Sequence, residues 1–174
     1  MKKISEKEIM LIGEKAKIAS RLVSQIETKK KIEVLDLAAA NLLKNKNSIL
    51  IENEKDVEEN KDKLNNSTLD RLILDEKRIY SFSNGLIEIS KLEDPVGKTL
   101  GEWSRPNGLH IEKVSIPLGV IGVIYESRPN VAADAAGLCL MSGNSLILRG
   151  GSESFHSSSK IIEIIKKSYD KFKL

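Results

Sequence analysis

Residues 117–153 read PLGVIGVIYESRPNVAADAAGLCLMSGNSLILRGGSE, and no other stretch limits the possible folds so sharply. An apolar, β-branched run from Leu118 to Tyr125 predicts a strand buried on both faces. A polar turn follows, Glu126-Ser127-Arg128-Pro129-Asn130. A helix of small residues then runs from Val131 to Met141, and Ser142-Gly143-Asn144 stops it. A second buried strand, Ser145 to Leu148, leads into Arg149-Gly150-Gly151-Ser152, and a new helix starts near Glu153. This order is a βαβα unit. Ligands of such sheets sit outside the carboxyl ends of the strands.

The first half reads as helices. Ser5 and Glu8 have capping-box spacing. Ile9, Ile12, Ala16, Ala19, Val23 and Ile26 recur every three or four residues and predict one stripe on a long helix. A second helix covers about Ile32 to Leu43, with Leu35, Ala39 and Leu42 on its stripe. Ser48 to Asp62 is charged and helical in pattern, with a break expected near Asn53. After the turn Asn65-Asn66-Ser67, a short helix carries Leu69, Leu72 and Ile73. Asp75 can cap the next helix, whose stripe is Ile79, Phe82, Leu86 and Ile89 and which Pro95 and Gly97 end. Between Lys98 and Pro117 the pattern turns strand-like around Arg105-Pro106-Asn107-Gly108, predicting a hairpin with arms Thr99–Trp103 and Leu109–Ile116. The last helix is expected to bury Phe155, Ser158, Ile162, Ile165, Tyr169 and Phe172. Three segments result: a helical part at 1–94, a hairpin arm at 95–117 and an incomplete α/β unit at 118–174.

Charge narrows the function classes. The 28 Lys and Arg are interspersed with 25 Asp and Glu, which argues against a nucleic-acid footprint. The densest basic run, Lys29-Lys30-Lys31, reads as an exposed first helical turn or loop. The N-terminus is not of signal-peptide type, and no apolar run is long enough for a membrane span. The single cysteine, Cys139, suits a reducing compartment, and a cytoplasmic location is expected. It lies in an apolar helix and reads as a small hydrophobe rather than a nucleophile. His110 and His156 stand alone in sequence, and no ligand spacing predicts a metal.

Two groups could carry chemistry. In the first, Arg149, Gly150, Gly151, Ser152 and Glu153, glycines admit close backbone approach. Free amides at the next helix start could hold phosphate or a ribose hydroxyl, and Arg149 could grip a phosphate. The bland reading is that the glycines turn the chain and Ser152 caps the helix. The second group is Ser127, Arg128 and Asn130, at the end of the first buried strand. A cation or amide there could face an oxyanion. The bland reading makes Asn130 an N-cap and leaves Arg128 exposed.

YESRPN, LRGGSE, LDRLILDEKRI and LEDPVGKTLGEWSRPNGLHIEKV together resemble the glutamate-5-semialdehyde dehydrogenases, also called gamma-glutamyl phosphate reductases, of the aldehyde dehydrogenase superfamily. The likeness covers essentially the whole chain, as an N-terminal part. It implies an α/β, aldehyde-dehydrogenase-like fold: a helical N-terminal layer, a β-hairpin arm and the first βαβα of a Rossmann-like cofactor domain. The implied reaction is NADPH-dependent reduction of L-glutamyl 5-phosphate in proline biosynthesis. In it a cysteine thiolate displaces phosphate and hydride reduces the thioester. The resemblance further implies an adenosine-ribose site at Arg149–Glu153, where the superfamily's usual Lys-Pro-Ser-Glu is replaced by Arg-Gly-Gly-Ser-Glu. It places the oxyanion donor at Arg128 without a gap in the alignment, or at Asn130 with a shift. It implies a homo-oligomer formed through the hairpin arm, and no catalytic cysteine among these residues, that segment being expected beyond Leu174. The alternative is a truncated, non-catalytic module that binds nucleotide weakly or only self-associates.

Overall fold

A computed structural model describes residues 5–172 of the 174. Seven helices and four strands follow in the order α1 (Glu6–Val23), α2 (Thr28–Lys44), α3 (Lys46–Asn60), α4 (Asn66–Leu72), α5 (Glu76–Ser90), β1 (Thr99–Ser104), β2 (His110–Val114), β3 (Val120–Ile124), α6 (Val131–Met141), β4 (Ser145–Arg149) and α7 (Phe155–Lys171). A single 3-10 turn, Ser152–Ser154, precedes α7.

Local chemistry sets most of these boundaries. Ser5 and Glu8 close the capping box of α1 reciprocally. The Asn65 side chain accepts from the Thr68 amide, and that of Asp75 from the Arg78 amide at 2.6 Å. At the end of α6, Gly143 takes φ +72° and the Asn144 amide returns to the Cys139 carbonyl at 2.8 Å, so the last carbonyls of the helix are satisfied.

One core joins the helices to the α/β unit. Helix α2 packs on α5, while α7 lies against α2 and α3, and α6 wedges between α5 and α7. Val34, Leu42, Ile49, Leu72, Ile79, Leu86, Ala132 and Ile161 are all completely or almost completely buried in it. Gly137 allows the closest approach: a Cβ there would stand 2.6 Å from Leu86 Cδ2.

A buried ion pair ties the layers together. Lys31, expected on an exposed turn, is fully buried, and its Nζ donates to Asp94 Oδ2 at 2.7 Å and to the Met141 carbonyl at 3.2 Å. Asp94 also accepts from Thr28 Oγ1 and the Val96 amide. Burial pushes the Asp94 carboxyl up, but the hydrogen bonds from Lys31, Val96 and Thr28 and the Lys31 charge hold it below its ordinary value.

Other expectations are corrected by packing. Helix α3 runs unbroken through Asn53, whose buried side chain holds the Leu72 carbonyl and the Leu74 amide at 2.9 and 2.7 Å. Helix α1 stops at Val23, short of Ile26, and only the second half of its stripe is covered, since Ile9 and Ile12 are exposed. Helix α5 ends at Ser90, before Pro95 is reached. Phe155 is exposed, and α7 buries Ile161 and Ile164 beside the expected Ser158 and Ile165.

The strands form two separate ribbons. β1 and β2 pair antiparallel around Arg105–Gly108, with Trp103 opposite Ile111 and an irregularity between Thr99 and Gly101. β3 and β4 pair parallel, Val120 opposite Ser145 and Ile124 opposite Arg149. Contrary to the doubly buried reading, β3 exposes alternate residues, Val120, Gly122 and Ile124. Its other face rests partly on the helices, and no described element covers the first face.

Candidate functional site

Parallel pairing brings the ends of β3 and β4 level, so the two candidate loops leave the sheet side by side. Tyr125 continues the ladder, its amide donating to the Arg149 carbonyl at 3.1 Å. Beyond it the loops are joined directly. Glu153 Oε1 accepts from the Ser127 amide at 2.8 Å and from Ser127 Oγ at 3.0 Å. Ser127 is buried and holds φ +48°, the one positive φ of a non-glycine among the described residues.

The members of the second group diverge from there. Arg128 is exposed, Pro129 is fully buried, and Asn130 is half-buried. Asn130 has helical backbone angles and makes no cap; its Nδ2 donates to Asp134 Oδ2 at 3.0 Å. Burial pushes the Asp134 carboxyl up, against the effect of that bond.

The first group is likewise rearranged. Arg149 is exposed at the end of β4, and its guanidinium bonds the Gly150 carbonyl. Ser152 is exposed and caps nothing. A Cβ on Gly150 would press on the Tyr125 ring at 3.1 Å, and one on Gly151 would fall 2.2 Å from Glu153 Oε1. Both glycines therefore make room for neighbouring side chains. Burial pushes the Glu153 carboxyl up. Hydrogen bonds from its own amide and from Ser127, with the charge of Arg149, outweigh that and hold it below its ordinary value.

The amides at the start of α7 are not free. Asp56, buried on α3, accepts from the His156 amide at 2.9 Å and from the Ser157 amide and hydroxyl at 2.8 and 2.5 Å. An anion at those amides would meet a carboxylate already in place. Ile49, Asn53, Asp56 and Asn60 fall on one helical line of α3, and Asn60 also reaches the Glu153 carbonyl at 3.5 Å. That spacing was the available signal for Asp56, masked by the density of charge around it.

Cys139 is buried and its thiol is pushed up by burial, away from the thiolate. On the hairpin, the register places Glu102 opposite Glu112 and gathers both around His110 on an exposed face, ligand atoms within 4.8 Å of one another, a grouping that linear spacing does not reveal. Two open depressions lie away from the candidate loops, one near Arg21, Val96 and Pro117 and the other along the start of α1. On the loops themselves Arg128, Arg149 and Ser152 are exposed. Among the described residues no helix is long and apolar enough to cross a membrane.

No family model matches the chain. A gamma-glutamyl phosphate reductase of Clostridium tetani is 48% identical over 157 residues, 90% of this chain and 37% of the relative. The solved gamma-glutamyl phosphate reductase of Thermotoga maritima superposes with a TM-score of 0.91 at 34% identity, covering 94% of this chain and 40% of that one. The chain belongs to the gamma-glutamyl phosphate reductase family. It spans about two fifths of the length of these reductases. An NAD-dependent benzaldehyde dehydrogenase of Corynebacterium glutamicum, 16% identical with a TM-score of 0.71 over 96% of this chain and 34% of that one, shares the fold, which is aldehyde-dehydrogenase-like. Within the reductase fold, the two joined loops stand at the carboxyl ends of the parallel strands.

Proposed function

We propose that this chain supplies the helical layer, the hairpin arm and the first cofactor-binding unit of an enzyme that reduces L-glutamyl 5-phosphate to L-glutamate 5-semialdehyde with NADPH. The observation that carries the reading is the 48% identity to a gamma-glutamyl phosphate reductase across 90% of the chain. The loop geometry supports it. Arg149, Gly150, Gly151, Ser152 and Glu153 form the shelf for the adenosine end of the dinucleotide. The exposed Arg149 and Ser152 are the groups open to it. The group fits there and not on the first amides of α7, which Asp56 occupies. When bound, NADPH supplies hydride to the acyl carbon. Ser127, Arg128 and Asn130 lie on the neighbouring loop, where a cation or an amide can orient and stabilise an acyl phosphate oxygen. The exposed hairpin arm is the surface for a homo-oligomer, and the cytoplasm is the compartment.

The buried state of the only cysteine favours a second statement: the 174 residues by themselves catalyse nothing and act as a non-catalytic module. Both are tested by phosphate-dependent NADP⁺ reduction with glutamate 5-semialdehyde. The isolated chain should give no turnover. A Clostridium tetani reductase whose matching segment is replaced by these residues should be active, and Arg128→Ala or Asn130→Ala should slow it by about 10²–10³ at whichever residue meets the oxyanion. An inactive but folded chimera would refute the family reaction. Turnover by the isolated chain that Cys139→Ala abolishes would refute the second statement.

A further inference from the structure

We propose that Glu153 is a positioning residue: from the loop after β4 it holds the loop after β3 in the backbone conformation that presents Arg128 and Asn130 at the strand ends. The inference rests on the reading of those loops given above.

Four observations carry it. The first is the bond pattern: Glu153 Oε1 meets both the amide and the hydroxyl of Ser127, at 2.8 and 3.0 Å. An amide and a hydroxyl converging on one carboxylate oxygen make a charge-assisted clamp, stronger than neutral bonds. The second is the conformation clamped. Ser127 has φ +48°, which a residue with a Cβ adopts only when its surroundings impose it. The fully buried Pro129 follows, so the chain direction from Arg128 to Asn130 is decided largely at Ser127.

The third observation is the seat of the carboxylate. Gly151 leaves the space that Glu153 fills: a Cβ there would lie 2.2 Å from Oε1 and 2.5 Å from Oε2. The backbone of Gly151 is ordinary, with φ −66° and ψ 160°, so its glycine is required by the carboxylate and not by the turn. The fourth is the division of labour with Asp56. Because Asp56 takes the first amides of α7, Glu153 is not needed as the helix cap. Its Oε2 has no hydrogen-bond partner from another residue among the described residues, so one oxygen fixes the neighbouring loop while the other stays open on the dinucleotide shelf. A ligand that orders Glu153 thereby orders Ser127 and the groups beyond it.

The test is backbone amide exchange and chemical shift by NMR on the chain and its variants. In the unmodified chain the Ser127 amide should be protected. Glu153→Ala should lower that protection by roughly tenfold or more, as expected for losing a bond to a charged acceptor, and should shift Arg128 and Asn130 while α2 and α5 keep their signals. Glu153→Gln keeps an acceptor oxygen and should restore most of the protection. Gly151→Ala should reproduce the Glu153→Ala pattern with Glu153 still present, because the new methyl evicts its carboxylate. Adding Ser127→Gly to Glu153→Ala should return the Asn130 signal towards its original position, since glycine holds a positive φ unaided. Unchanged Ser127 exchange and unchanged 128–130 shifts in folded Glu153→Ala and Gly151→Ala chains would overturn the proposal. NADP⁺ titration separates it from the reading beneath it. Absent shifts at Gly150 and Gly151 would count against the adenosine site, while the exchange data would still decide the role of Glu153.

Discussion

The helices at 28–90 and the strands at 99–124 are both rich in apolar residues, yet they meet opposite fates. Leu42, Ile49, Ile79 and Leu86 are sealed, whereas Leu118 is 88% and Ile124 84% exposed. In the helical layer each stripe finds a facing stripe, α2 with α5 and both with α6 or α7. Each strand has a single hydrogen-bonded neighbour, and the β3–β4 ribbon rests on α1 and α6 over one face only in part. Apolar character thus reports what a residue can bury, and the neighbouring elements decide whether it does. Polar groups follow the same rule in reverse. Lys31 and Asp56 are buried in the helical layer because each meets hydrogen-bond partners there, while Glu102, His110 and Glu112 gather on the exposed hairpin.

The largest test of this contrast is Lys31→Ala. It strands Asp94 against the core edge and should cost about 3–5 kcal/mol in chemical denaturation, the penalty for breaking a buried pair. A cost near zero would make the pair an ordinary surface bridge. The same pair predicts a pH dependence. Asp94 binds its proton less tightly folded than unfolded, so its contribution is complete above its unfolded value of about 4 and is lost as pH falls through the lower folded value. Urea midpoints of the unmodified chain and Asp94→Asn should therefore converge as the solution is acidified below that point.

Next in size is Leu42→Ala, expected to cost about 2–5 kcal/mol through lost transfer energy and a residual cavity. Asp56→Ala should follow, at roughly 1.5–3 kcal/mol, with the first-turn amides of α7 losing protection in hydrogen exchange. On the other side of the comparison, Ile124→Ala should change stability by no more than about 0.5 kcal/mol. A loss of the size expected for Leu42→Ala would show that the outer face of β3 is covered in solution. The smallest effect belongs to Glu163. Lys167 and Lys160 hold its carboxyl down to about 2, but all three groups lie on the water side of α7. Glu163→Gln should leave the melting temperature unchanged within error, because solvent screens such pairs.

What the sequence determined by itself was the local geometry. The capping box at Ser5, the turn at Asn65–Ser67, the cap at Asp75, the turn at Arg105–Gly108, the stop at Gly143 and the strand–helix–strand order of 120–149 all follow from residues within a few positions of one another. Backbone stereochemistry and short side-chain reach decide those features, so they are readable without the fold. The positions of the candidate loops were legible for the same reason, and the apolar residues around Cys139 pointed to its burial. Only the tertiary structure decided which polar groups are buried and what they hold. Lys31 meets Asp94 across 63 positions, Asp56 meets Ser157 across 101, and Glu153 meets Ser127 across 26. Each pair needs two or three elements packed together before its partners come within reach. Hydrogen bonds act over about 3 Å, and a linear pattern contains no distance of that kind between segments so far apart.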